Sequence, residues 1–317
     1  MKKVLFATSA LVASTGFAAA DVSISGYAEM GITGGSDVET LFHQDIDVTF
    51  SMSGTTDNGL TFGAAVDLDE SLNQGGDPLA WAQNGAMTDD NDDGGVAIFI
   101  SGGFGTLTLG DTDGGYDWGM AEVPAGPGGI ADNSSSHSGW NGNGGLDGGN
   151  DGQVLRYDHS VGGLGFAVSV EQDDAAGSSD NIVGLGLRYS VGDLAIGMGF
   201  QSNDASDVAG VSLSYSMGDL AVGLNYSQVS DATDPDDQTH VGIGMSYTMD
   251  AITFGMNYGS YSNVGHDAAA DRAGFGMGVS YDLGGGASVI ASWETTTDHE
   301  TASSEDSTWS LGVAMSF

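Results

Sequence analysis

Acidic side chains at alternating positions are the residues of this chain whose types and spacing could do chemistry. Because neighbouring side chains of a strand point to opposite faces, these carboxylates share one sheet face, opposite Met30, Ile46 and Val66. Carboxylates that line a water-filled passage concentrate cations and exclude anions, so the pattern predicts an electrostatic role. The residues on this face are Glu29, Asp45, Asp47, Asp67, Asp69 and Glu171.

Arginines are the only basic side chains after residue 20, and they occur at the same strand phase as the carboxylates. Two of them stand in identical LRY triplets, at 155–157 and 187–189. Two interpretations stay open: a wall made soluble by charge, or a charged wall that acts on passing ions. The residues are Arg156, Arg188 and Arg272.

A long connection, DTDGGYDWGMAEVPAGPGGIADNSSSHSGWNGNGGLDGGNDG at 111–152, carries a second set of acids. A connection of about forty residues without its own strands indicates either a function or disorder. We expect residues 112–152, the long loop, to fold into a channel and narrow it; a floppy external loop is the alternative. Its acids are Asp111, Asp113, Asp117, Glu122, Asp132, Asp147 and Asp151.

Several catalytic signatures are missing from the chain. Lysine occurs only at positions 2 and 3, cysteine does not occur, and no HExxH motif is present. These absences exclude a P-loop lysine, a Schiff-base lysine and a thiol nucleophile after residue 20. The six histidines are scattered, and no spacing indicates a Ser–His pair, so we predict no enzyme and no required cofactor.

The first twenty residues, MKKVLFATSALVASTGFAAA, predict a secretory signal cleaved near Ala20, with a retained anchor as the alternative. Two lysines precede a short apolar run, and three alanines provide the small residues of a cleavage site. The remainder has 3 arginines and 44 acidic residues, a net charge of 3 − 44 = −41. Such a chain repels nucleic acid and attracts cations.

Sixteen segments of alternating apolar and polar residues follow the signal. Many have the roughly 9–11 residues that a tilted strand needs to cross a bilayer, and the even number fits a closed single-chain barrel. Short turns alternate with longer acidic loops such as 71–95, as in such barrels. Gly-Asp at 192–193 and 218–219 and Met-Asp at 249–250 predict tight hairpin turns with positive φ. The segments are 22–32, 43–53, 60–70, 96–102, 106–111, 153–160, 164–172, 181–190, 194–203, 207–216, 220–230, 238–248, 251–261, 272–281, 287–297 and 306–317.

The segment from Leu194 to Gln201 illustrates the two faces: Leu, Ile, Met and Phe alternate with Ala, Gly, Gly and Gln. We expect lipid at the apolar face and water at the bare face. Aromatic residues mark both ends of the apolar phase, as at the two membrane interfaces. A large soluble β-sandwich or solenoid is the alternative, but it explains neither these belts nor the missing basic residues. The aromatics are Tyr189, Tyr215, Tyr247, Tyr281 and Phe317 beside short turns, and Phe200, Tyr226, Tyr258 and Trp293 beside long loops.

The sequence therefore predicts an all-β fold. Residues 21–317 form one domain, a 16-stranded antiparallel transmembrane β-barrel, with the long third loop folded into its lumen. The chain resembles a known family, the 16-stranded general-diffusion porins of alphaproteobacteria, of the Rhodobacter type. The stretches that carry the resemblance are ISGYAEMG (24–31), VTFSMSGTTDNGLTFGA (48–64), FISGGFGTLTLGD (99–111), YDLGGGAS (281–288) and LGVAMSF (311–317).

The resemblance implies a homotrimer with one pore per chain, each narrowed between an acidic loop and a basic wall. It also implies bound calcium in the loop, for which Asp111 and Asp113 are the candidates. This chain departs from the family on the basic side, because Glu29 stands where the family typically has arginine. Asp45 and Asp47 lie near other basic family positions, so we expect the field across the pore to be weakened or reversed.

We predict an outer-membrane porin for passive diffusion of ions and small hydrophilic solutes, with a preference for cations. Its partners are then outer-membrane lipid, two further copies of the chain, and the solutes. A secreted calcium-binding β-rich surface protein without channel activity stays open as the alternative. The predicted pore-lining and constriction residues are Glu29, Asp45, Asp47, Asp67, Asp111, Asp113, Asp117, Glu122, Arg156 and Arg188.

Overall fold

The computed structural model describes most of the chain after the predicted signal. The predicted cleavage near Ala20 lies outside the described residues, and so does most of the predicted loop at 71–95. The described residues are 21–36, 39–71, 95–124, 126–132, 134–135, 137, 139–140, 142, 144–173, 180–268, 270–298 and 305–317.

Sixteen antiparallel strands close into one barrel within the described residues, and consecutive strands pair along the chain. The ring closes between the first and last strands, where Tyr27 pairs with Ser316 and Gly35 with Thr308. The strands are β1 Asp21–Gly35, β2 Leu41–Thr55, β3 Thr61–Ser71, β4 Gly95–Gly102, β5 Gly105–Gly110, β6 Val154–Val161, β7 Leu164–Glu171, β8 Ile182–Val191, β9 Leu194–Ser202, β10 Ser206–Met217, β11 Leu220–Asp231, β12 Gln238–Met249, β13 Ile252–Ser262, β14 Arg272–Gly284, β15 Ala287–Asp298 and β16 Glu305–Ser316.

Each predicted segment corresponds to one strand, so the predicted number and order of strands are confirmed. The predicted turns are also confirmed, because Gly192, Gly218 and Asp250 have φ values of 57°, 58° and 53°. Tight hairpins require such positive φ values. Some strands extend beyond the predicted ends, as β1 does to Gly35, because backbone pairing continues where the apolar alternation has stopped. In contrast, β7 and β9 each end one residue before the predicted end.

Alternation along each strand gives the barrel one apolar face and one polar face. On β9, Met198 and Phe200 are 48% and 42% exposed, whereas the alternate residues Gly197 and Gly199 are buried. The predicted aromatic belts lie on the same apolar face, where Tyr189, for example, is 46% exposed. An exposed apolar surface of this extent is suited to lipid rather than to water.

The long loop connects β5 to β6, and its described residues include a short helix, α1 Gly115–Gly119. A 3-10 turn follows at Ile130–Asp132, and another lies outside the loop at Val264–His266. Among the described residues, no helix is both long enough and apolar enough to cross a membrane.

Candidate functional site

The long loop runs over the polar face of the barrel along a series of glycines. A Cβ atom at Gly199 would lie 2.8 Å from Tyr116 Cα, and one at Gly278 would lie 2.6 Å from the Gly128 carbonyl oxygen. Both distances are too short for a side chain, so only glycine lets the two backbones approach this closely. We call these strand residues the glycine track: Gly186 and Gly197 against Gly119, Gly199 against Tyr116, Gly244 against Pro124, Gly259 against Gly139, Gly276 against Ser134, and Gly278 against Gly128.

The glycine track corrects one prediction. The bare face of β9 was expected to face water, but Gly197 and Gly199 contact loop backbone at Gly119 and Tyr116. Alternation could not separate the two cases, because glycine is compatible both with a water-facing wall and with a closely packed backbone. The prediction of a water-facing bare face is therefore wrong at these positions.

Helix α1 is fastened to the wall by backbone N–H groups and by one aromatic side chain. Gly115 donates to Ser169 Oγ at 2.7 Å, and further along the loop Ala121 donates to Ser212 Oγ at 2.9 Å. Tyr116 is 2% exposed and hydrogen-bonds Ser227. Burial raises the pKa of Tyr116, so its phenol stays neutral at physiological pH.

Glu29 on β1 is a buried acceptor for the loop. It is 6% exposed, and its Oε1 accepts a 3.0 Å hydrogen bond from Ala131 N–H and lies 3.1 Å from His43 Nε2. Its Oε2 accepts a 3.1 Å hydrogen bond from the Tyr27 hydroxyl. The residue predicted to line the pore thus fastens the 3-10 turn of the loop to the barrel wall.

A second buried carboxylate, Glu171 on β7, gathers the returning end of the loop. It is 1% exposed, and its two oxygens accept from the N–H groups of Gly148, Asn150 and Gly152 at 2.8, 2.9 and 3.0 Å. The backbone N–H groups of 144–152 that bind Glu171 thus face an anion, whereas a calcium ion would require oxygen ligands. Glu294 on β15 is a third buried carboxylate that binds the loop, and it accepts a hydrogen bond from Ser134 N–H at 2.9 Å.

Asp117 and Asp147 bring the outgoing and returning parts of the loop together against β9. Asp147 accepts a 2.6 Å hydrogen bond from Gly114 N–H and another from the Gln201 amide, and Asp117 accepts from Gly145 N–H at 3.1 Å. Burial raises the pKa of Asp117 to about 7, and the nearby Asp147 carboxylate adds to this shift. Burial likewise raises the pKa of Asp147 to about 6.

The two predicted arginines of β6 and β8 lie at the start of the loop. Arg156 donates to Thr112 Oγ1 at 3.0 Å and to the Asp113 carbonyl oxygen at 2.5 Å, and it pairs with Asp158 at 3.3 Å. Arg188 is exposed and lies 4.5 Å from the centroid of the Trp118 ring, a cation–π contact. Both arginines thus contact the loop, and the structure adds Trp118 and Asp158 to the predicted set.

The predicted acids of β2 and β3 form a neighbouring part of the wall. Asp45 is 5% exposed and pairs in register with Glu29, while Asp47 pairs with Tyr27. Asp67 is half-buried and accepts a 2.8 Å hydrogen bond from the Thr49 hydroxyl. The side chain of Asp69 lies outside the described residues.

The remaining predicted acids lie in the first part of the loop. Asp111 and Asp113 are exposed, and Glu122 is half-buried. In the described parts of the chain, no group of three or more His, Cys, Asp or Glu side chains is arranged to hold a metal ion. Calcium at Asp111 and Asp113 stays a prediction and would require further oxygen ligands from backbone or water.

A buried polar network under the middle of the loop was missed by sequence reasoning. Gly139 N–H donates to His137 Nδ1 at 3.2 Å, so Nε2 carries the proton and donates to Asn257 Oδ1 at 2.5 Å. Asn257 donates in turn to the Ser134 carbonyl oxygen at 2.6 Å, and His240 Nε2 donates to the Gly139 carbonyl oxygen at 2.9 Å. Burial lowers the pKa of His137 and favours its neutral form. The available signal was Asn257 itself, a large polar residue at a glycine-rich phase.

These features define a class of protein. A closed ring of antiparallel strands leaves no unpaired edge, and its exposed face is apolar, so the chain is a transmembrane β-barrel. A sequence model of Gram-negative porins matches residues 7–301, and the chain belongs to that family. The resemblance to porins predicted from the sequence is confirmed.

Individual relatives support the same assignment. A porin from Rhodobacter capsulatus is 28% identical over 195 residues, which cover 59% of this chain and only 58% of that relative. A porin structure refined at 1.8 Å resolution has a TM-score of 0.74 and 24% identity, covering 94% of this chain and 100% of that one. A triple mutant of the Rhodopseudomonas blastica porin has a TM-score of 0.69 and 19% identity, with the same coverage. The two structures agree with the sixteen-stranded fold.

Proposed function

We propose that this chain forms a water-filled channel in an outer membrane and lets ions and small hydrophilic solutes pass by diffusion. The observation that carries the proposal is a closed sixteen-stranded barrel with an exposed apolar face and charged residues on its polar face. A barrel with this number of strands is wide enough for an aqueous passage. Diffusion involves no bond making, so the proposal requires no catalytic residue or cofactor.

The long loop is proposed to cross the lumen and narrow it. The loop leaves the ring between β5 and β6, yet Tyr116 packs on Gly199 of β9 and Ile130 packs on Gly31 of β1. These two strands lie half the ring apart. Contacts on the polar faces of opposite strands support a path through the interior, since a path outside would meet the apolar face.

A preference for cations is supported by the balance of charge. The chain after residue 20 carries 3 − 44 = −41 charges, and the exposed loop acids Asp111 and Asp113 lie near the channel's proposed narrow part. Glu29 and Glu171 contribute less to this preference, because the loop's N–H groups already solvate their buried carboxylates. The exposed Arg188 opposes the preference.

Family membership supports further parts of the proposal. Membership of the Gram-negative porin family fits assembly as a homotrimer and residence in an outer membrane. It also fits export with cleavage of a signal near Ala20. Calcium bound near Asp111 and Asp113 fits the acidity of the loop. Detergent-free solubility without channel activity would instead support a secreted calcium-binding surface protein.

The proposal is tested by the reversal potential of the purified protein in a planar lipid bilayer with a KCl gradient. We expect stepwise conductance and a cation-selective potential. Asp113→Asn is expected to reduce the selectivity more than Glu29→Gln, because Asp113 is exposed and Glu29 is buried.

Each outcome of the bilayer experiment decides a different part. Anion selectivity would keep the channel but refute the electrostatic role of the carboxylates. Absence of channels from folded protein would refute diffusion altogether. Equal effects of the two variants would refute the distinction between exposed and loop-bound acids.

A further inference from the structure

The Asp117–Asp147 pair lies where three parts of the molecule meet. Asp147, on the returning part of the loop, accepts from Gly114 N–H on the outgoing part at 2.6 Å. Asp117, on the outgoing part, accepts from Gly145 N–H on the returning part at 3.1 Å. The two parts of the loop are therefore cross-linked in both directions by carboxylates.

The wall contributes a third connection through Gln201 of β9, whose side chain is fully buried. Its amide nitrogen donates to Asp147, and its amide oxygen accepts from Leu146 N–H at 2.7 Å. Gly114 and Gly145 have no room for a Cβ atom beside these groups. The cluster of Asp117, Asp147 and Gln201 is thus a packed clamp between the loop and the barrel.

The charged groups around the clamp are themselves acidic. Asp113 and Glu122 of the loop and Glu171 of β7 interact electrostatically with the pair. Helix α1 also packs against β8, β9 and β10. Among the described residues on the polar faces of these three strands, the charged side chain is Arg188 of β8, which stacks on Trp118. A carboxyl group buried beside other carboxylates favours its protonated form, because burial and nearby like charges both disfavour the ionised form.

We propose that the clamp holds a proton at neutral pH and makes the conductance and ion selectivity of the channel respond to pH. This inference rests on the proposed channel function. Below the pH at which the clamp loses this proton, its reduced negative charge lets it hold the two parts of the loop together on β9. Above it, the second negative charge loosens the loop and adds a cation-attracting charge to the lumen.

The direction of the response follows from the raised pKa values. Burial raises the pKa of Asp117 to about 7 and that of Asp147 to about 6, whereas a free aspartate has a pKa of about 3.9. Between about pH 3.9 and pH 7, the folded loop therefore binds more protons than an unfolded loop. The stability of the folded loop consequently falls as pH rises through this range. Asp117 loses its proton after Asp147 as pH rises, so the transition is expected at about pH 7.

The experiment measures current fluctuations and reversal potential in planar bilayers from acidic to alkaline pH, with KCl held constant. The native protein is expected to become more cation-selective and noisier as pH rises. Asp117→Asn is expected to abolish the transition, and Asp147→Asn to shift it to lower pH by about one unit or more, because a like charge is removed. Asp193→Asn, in the exposed turn after β8, is the matched control and should leave the transition unchanged.

A second measurement detects the proton itself. The infrared band of a protonated carboxyl group in the native protein should disappear across the same pH window, and Asp117→Asn should lack that change. Channels whose current is independent of pH, or whose transition survives in Asp117→Asn, would overturn the clamp and leave the channel function standing. Absence of channels at every pH would instead refute the channel function.

Discussion

The glycine track gives the most direct test of how the long loop is positioned. Gly199 on β9 faces α1, whereas Ala195, four residues earlier on the same face, is exposed. Replacing each with valine puts the same branched side chain on the same strand. Valine raises the β propensity of the strand in both variants, so a loss of stability in Gly199→Val alone reports the contact with Tyr116.

The size of the effect follows from the contact distance. A Cβ atom at position 199 would lie 2.8 Å from Tyr116 Cα, while unstrained carbon atoms lie about 3.5–4.0 Å apart. Helix α1 must therefore move away from the wall by roughly 1 Å, toward the lumen under the proposed loop path. Such overpacking costs about 1–3 kcal/mol.

Two assays separate the consequences of the Gly199→Val substitution. Urea unfolding in lipid vesicles should show a loss of about 1–3 kcal/mol for Gly199→Val and almost none for Ala195→Val. Single-channel conductance should fall in Gly199→Val alone, because α1 moves into the passage. Wild-type stability and conductance in Gly199→Val would show that the glycine track does not hold the loop.

Three further predictions concern charged and titratable groups. Glu171→Gln should accelerate protease cleavage within 144–152, because an amide oxygen cannot replace both carboxylate oxygens; we expect a loss of about 2–3 kcal/mol for that segment, and unchanged cleavage would contradict the anchor. Arg188→Gln should shift the reversal potential toward stronger cation selectivity, with Trp118→Phe as the charge-neutral comparison, and an unshifted potential would remove Arg188 from the field of the channel. The pKa of His137 is lowered on folding, so stability should decline as pH falls below about 6.5 in urea titrations; His137→Gln should lose that dependence, and a persisting slope would assign it to another group.

The fold was accessible from the sequence because a strand repeats every two residues. Alternation set the number of strands, their order and the face exposed to lipid, as β9 illustrates with Met198 and Phe200 outside. The tight turns at Gly-Asp and Met-Asp could also be predicted, because few residue types tolerate the positive φ values that these turns require. Periodicity thus carries most of the information in a barrel with one apolar face.

The contacts of the site were not accessible in the same way. Alternation assigns Glu29 and Glu171 to the polar face, but it does not say whether water or a loop N–H group meets them. Asp117 and Asp147 are separated by the turns of the loop, and nothing in their local sequence pairs them. Only the three-dimensional path of the loop determines which acids are exposed, buried or shared.

The seam between β1 and β16 makes assembly an all-or-nothing event for the ring. Tyr27 and Ser316 are neighbours in the barrel, although nearly the entire described chain separates them in sequence. Closing a loop of that length costs roughly 5 kcal/mol of chain entropy, and only pairing along the β1–β16 ladder offsets this cost. Until then two strand edges are open to pairing with other chains. A lesion in either strand of this seam is therefore expected to act as an aggregation defect before it acts as a transport defect.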